Sequence, residues 1–139
     1  SARADDQFTV HASVPQVKEW VLAHQDSVSS SMACQVLDRR GSYVRIQKDT
    51  ARGTFDFWIK EQIDETQDGG LLYRSRLAQS NRGGMTENSV DVRLTPVRGG
   101  TQVTVHTSAS VDRVTHVGVQ AGLNSAVRGF YNMMSRQFR

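Results

Sequence analysis

The chain has 139 residues, a length for one domain rather than two, and its 37% apolar and 22% charged residues describe an ordinary globular composition. A lone cysteine, Cys34, excludes an internal disulfide and a cysteine-based metal cluster, and no run approaches the roughly 18 apolar residues of a membrane helix. The net charge of +3 is carried mainly by arginines that alternate with Asp and Glu along predicted strands, the pattern of a mixed, solvated face rather than a nucleic-acid surface.

Residues 1–139 read as a single domain whose first six residues form a disordered or processed N-terminus. Ala2-Arg3-Ala4 has the small-residue spacing found before a signal-peptidase cut. It is either the remnant of a cleaved signal, which implies a periplasmic or secreted protein, or an arbitrary chain end compatible with a cytoplasmic one. Gln7 to Ala12 then alternates, with Phe8, Val10 and Ala12 on one face of a strand. Ser13 and Gln16 have capping-box spacing with Pro15 in the first turn, so a helix begins there and reaches about His24. Asp26 is placed to cap a second short helix through Ser31, unless the serines form a turn.

Six strand patterns follow: Val36 to Arg39, Tyr43 to Lys48, Thr54 to Asp64, Leu71 to Gln79, Thr86 to Val97 and Thr101 to Val111. Glycine-bearing loops between them predict hairpins and an antiparallel meander. Phe55, Phe57 and Ile59 share a buried face with Tyr73, Ser75 and Leu77, with Val90, Val92 and Leu94, and with Val103, Val105, Thr107 and Ala109. The other face is charged, and Arg76 and Glu87 are expected to face each other across a hairpin. Spaced 100° apart, Val119, Gly122, Leu123, Ala126, Phe130, Met133 and Met134 form one apolar side of a closing helix from about Val119 to Phe138. Val117 falls off that stripe, Gly118 marks a bend or the helix start, and Asp112 is a possible cap.

The run Phe8-Thr9-Val10-His11-Ala12-Ser13-Val14-Pro15-Gln16-Val17, the glycine-turn hairpins and the terminal helix with Leu123 and Phe130 resemble the START-like, or polyketide cyclase and lipid-transport, superfamily. The resemblance spans nearly the whole chain, departing at Lys18, where the family usually has an aromatic residue. It implies an α+β helix-grip fold: a curved seven-stranded antiparallel sheet around a long C-terminal helix, with one or two short helices after the first strand. It also implies a cavity between sheet and helix for a lipid, sterol, polyketide or other apolar molecule.

Polar residues in phase with the buried faces are the candidate contacts, because a buried polar group needs a partner. With their apolar neighbours they form the expected ligand-binding set: Phe57, Ile59, Glu61, Tyr73, Ser75, Asn88, Val90 and Thr107 from the sheet, and Gly122, Ala126, Phe130 and Met133 from the helix. Gly122 and Ala126 either leave volume opposite the sheet or mark close helix-to-sheet contact. Glu61 and Tyr73 are the proton-transfer candidates. No metal site, nucleophile elbow, P-loop or dinucleotide fingerprint is present in the sequence, and no cofactor is expected. The leading function is binding or transport of an apolar or amphipathic small molecule. The alternatives are a cyclase or dehydratase on the same fold, and a protein-interaction module.

Overall fold

The computed structural model describes residues 1–139. Strand β1 spans Ala2–Val10, so residues 2–6 are strand rather than the disordered N-terminus expected. Ala2, Ala4 and Val10 are buried on its inner face. Alanines signal burial weakly, which is why the alternation was legible only from Phe8 onward. β1 is an edge strand, and Gln120 covers part of its free edge: the side-chain amide donates to the Arg3 carbonyl at 2.5 Å and accepts from the Arg3 amide at 3.4 Å.

Helix α1, Val14–Ala23, begins at the reciprocal cap that the Ser13 and Gln16 spacing predicts, with Pro15 in its first turn. Helix α2 does form, over Gln25–Ser31, but His24 occupies its cap and Asp26 lies in the first turn instead. There Asp26 complements the helix dipole without closing the end.

Strands β2 (Gln35–Arg40), β3 (Tyr43–Thr50), β4 (Gly53–Glu65), β5 (Leu71–Arg82), β6 (Met85–Val97) and β7 (Gly100–Val111) pair antiparallel with their sequence neighbours, and β1 returns beside β7. The seven strands lie in the order β1-β7-β6-β5-β4-β3-β2. Register irregularities at Val36/Asp38, Asp56/Phe57, Trp58/Ile59 and Met85/Glu87 add the local bend and twist of a curved sheet. Arg76 and Glu87 do not pair. β5–β6 pairing stops at Arg76 and Ser89, Arg76 turns to Asp91 at 2.7 Å, and Glu87 accepts from the Ser108 hydroxyl at 2.7 Å.

Helix α3 spans His116–Gln137 without the separate start at Val119 that its apolar stripe suggested. Thr115 is the cap, accepting from the Gly118 amide at 3.1 Å, while Asp112 bonds through its own amide to the Gly84 carbonyl. Val117 is 77% exposed, so the cap rather than burial sets the helix start. The buried residues of α3 are Phe130, Met133 and Met134, all in its C-terminal half. They join Val10, Val17, Val103 and Val105 in the first core cluster; Val44, Phe57, Ile59 and Met85 make a second. The first cluster joins the helices to the sheet, the second is made of sheet residues alone, and the inner face is only half-buried at Tyr73, Leu77, Val90 and Val92.

Candidate functional site

Regular alternation from Val36 would send Arg39 to the outer face. The irregularity at Val36/Asp38 shifts that phase, and Arg39 stands opposite the buried Val44 on the inner side. On β4 the inward series Phe57, Ile59 continues to Glu61; on β5 the partners of Glu61 and Ile63 are Ser75 and Tyr73. Three side chains meet there. The Tyr73 hydroxyl donates to Glu61 Oε2 at 2.5 Å, and Arg39 Nη1 lies 3.5 Å from Glu61 Oε1. Glu61 and Arg39 side chains remain 29% and 42% exposed, so the pair is open to solvent.

Burial, followed by the charge of Glu61 and the hydrogen bond to it, holds the Tyr73 phenol protonated well above the usual range. Tyr73 is therefore a hydrogen-bond donor at neutral pH, and Glu61 is its acceptor. The linkage has a definite sign: above the ordinary phenol value of 10.0 the folded chain keeps a proton that the unfolded chain loses. Stability should accordingly fall as pH rises past that point. Subtracting the phenolate absorbance titration of Tyr73→Phe from that of the parent chain should show no Tyr73 ionisation until well above it. A Tyr73 step at the ordinary value would contradict the contact.

The remaining candidates divide. Ser75 is buried beside Glu61 in the ladder, Val90 follows it on β6, and Thr107, also buried, follows Val90 on β7, so these four share one row across the inner face. Asn88 stands opposite the buried Ala109. Phe57 and Ile59 belong to the second cluster, Phe130 and Met133 to the first. Ala126 is half-buried. Gly122 is exposed and an added Cβ would meet nothing within 4 Å, so it neither touches the sheet nor faces an enclosed space. The close approach on α3 is at Gly129, where a Cβ would lie 1.9 Å from the Ser31 carbonyl oxygen of α2. Arg39 and Gly129 are the two positions that the sequence pattern did not single out.

Two concavities lie outside the space between α3 and the sheet. One, of about 490 Å³, is bounded by the His11–Gln16 segment and the turns at Gly69 and Gly99; the other, of about 320 Å³, is on the outer sheet face. Cys34 sits apart from all of these, its thiol pushed up by burial and drawn partly back by Lys48. No helix is long and apolar enough to cross a membrane.

No protein-family model matches the sequence, and no curated protein matches it. Solved structures do. A START superfamily protein from Mycobacterium smegmatis superposes with a TM-score of 0.69 at 12% identity, over 99% of this chain and 97% of that one. A STAR-related lipid transfer protein from Xanthomonas axonopodis gives 0.73 at 14%, over 97% and 84% of the two chains. The Zhui aromatase/cyclase from Streptomyces sp. R1128 gives 0.54 at 18%, over 96% and 84%. The fold is START-like. The START-like frame carries the features that suggested it, with the capped first helix, the glycine-turn meander and the terminal helix in the expected order. Lys18, the departure from the family pattern, is half-buried on α1, while the neighbouring Val17 is fully buried and Trp20 packs against the first cluster.

Proposed function

We propose that this chain binds an amphipathic small molecule along the inner face of its sheet, the polar end meeting Glu61, Tyr73 and Arg39. The apolar body would lie against Leu77, Val90 and Val92. The observation that carries the reading is the Glu61–Tyr73–Arg39 group, a polar spot at the rim of a half-buried apolar strip. A carboxylate with one oxygen committed to Tyr73 and a guanidinium only loosely paired leave both an acceptor and a donor for a ligand. Solved structures of this fold include a protein described as a lipid transfer protein and another described as an aromatase/cyclase, which supports a lipid, sterol or polyketide-like ligand class.

The Tyr73 to Glu61 hydrogen bond favours one second reading, proton transfer to a bound polyketide-like substrate with Tyr73 as the acid. Binding without turnover leads because one donor and its own acceptor do not make the separate acid and base that such chemistry requires. An interaction module is less supported: Arg40 lies 5.5 Å from the Trp58 ring centroid, and ion pairs cover much of the outer face.

Titration with dodecanol, lauric acid and cholesterol, followed by methyl NMR, tests the reading. Saturable shifts at Leu77, Val90 and Val92 are expected for at least one probe. Glu61→Gln should weaken that binding by about 1.5–3 kcal/mol, the usual loss for a hydrogen bond to a charged group. Shifts confined to other surfaces, or an unaltered affinity in Glu61→Gln, would contradict it. Turnover of a polyketide-like substrate lost in Tyr73→Phe would move the assignment to the enzyme.

A further inference from the structure

On the outer sheet face, away from α3, Arg74, Arg76, Asp91, Arg93, Thr104 and His106 surround the concavity of about 320 Å³. Its charges do not close among themselves. Arg74 Nη2 bonds Asp64 at 3.0 Å, and Arg76 takes Asp91 at 2.7 Å although Asp91 stands opposite Arg74 in the ladder. Arg74 and Arg76 are thus each matched by one carboxylate, and Arg93 stands outside both pairs. Arg74 Nε is buried with no acceptor, the sole such side-chain atom in the chain. Arg93 is exposed and forms no ion pair; the charge of Asp68, itself held by Thr66 and the Gly70 amide, is its carboxylate influence. His106 gives Nδ1 to Asp5 at 2.5 Å, leaving Nε2.

We propose that this concavity is a binding site for a phosphate group, either free or on a lipid headgroup. Guanidinium N–H groups donate to phosphate oxygens in forked pairs, and Arg93 has its whole fork available. Arg74 would gain an acceptor for the N–H that now carries the desolvation penalty of an unmade bond, after a small side-chain rotation that opens it to the concavity. Thr104, opposite Arg93 on β7, adds a hydroxyl donor. Donors on several sides suit a tetrahedral group better than a planar carboxylate. Asp91 does not oppose the anion strongly, because Arg76 neutralises it. The site is independent of the inner-face ligand reading.

The test follows arginine Nε–Hε signals by NMR during titration with inorganic phosphate at constant ionic strength. A parallel arm measures sedimentation with vesicles of phosphatidylcholine alone or mixed with phosphatidylglycerol. Saturable shifts at Arg74 and Arg93 are expected, with affinity reduced about tenfold or more in Arg93→Gln. Arg128→Gln, which removes the same charge from an exposed position on α3, should leave the affinity unchanged. Arg93-dependent binding only to phosphatidylglycerol vesicles would identify a headgroup as the source and sustain the proposal. No saturable response to either probe, or equal losses in the two variants, would overturn it.

Discussion

Met134→Ala should destabilise the fold by about 2–5 kcal/mol, the range for truncating a large buried aliphatic side chain. Met134 has no exposed surface and sits between the C-terminal half of α3 and the inner residues of β1, β7 and α1. Its unbranched thioether fills an irregular space that neighbouring valines, stiff at χ1, cannot collapse into. A typical domain has only about 5–15 kcal/mol in total, so the variant should show a much lower urea midpoint. Because α3 has no buried residue before Phe130, the loss removes part of the helix's anchorage as well as core volume. A midpoint within error of the parent chain would mean that α3 is held elsewhere. In the parent chain, the same distribution of burial predicts faster amide exchange over His116–Ala126 than over Phe130–Met134.

Gly129→Ala should also destabilise, by about 1–3 kcal/mol through overpacking, despite the gain of about 1 kcal/mol that alanine normally brings to a helix interior. The added methyl would fall 1.9 Å from the Ser31 carbonyl oxygen, which belongs to backbone and cannot rotate away. α2 or α3 has to shift. Gly122→Ala supplies the control on the same helix. That position is exposed and open, so the alanine should stabilise by about 0.5–1 kcal/mol. Chemical denaturation of both variants gives the comparison; equal effects of the same sign would contradict the crossing of α2 and α3 at Gly129.

These two glycines also show what a sequence can and cannot reveal. Helical projection sorts residues around an axis, and it correctly put Phe130, Met133 and Met134 on the buried side. It cannot say how far along the axis the helix keeps touching its neighbours, so Gly122 looked like an inward position although that stretch stands clear. The sheet was legible because its inward alternation is long and its hairpins carry glycine. What was lost lay at irregularities: the bulge in β2 reverses the phase of Arg39, and the one at Met85/Glu87 accompanies Glu87's turn toward β7 and away from Arg76. Glu61 and Tyr73 were each legible as inward polar residues from strand phase alone. Their mutual hydrogen bond depends on the β4–β5 register, which two further irregularities at Asp56/Phe57 and Trp58/Ile59 help to set.

The central proposal, that the inner face holds an amphipathic molecule, meets its most direct test in native mass spectrometry of the purified chain, followed by solvent extraction. The account predicts an adduct whose extracted component is apolar with one polar group, and whose occupancy falls in Glu61→Gln and in Tyr73→Phe. A chain that flies only at its own mass, and stays so after incubation with dodecanol, lauric acid or cholesterol, would contradict it.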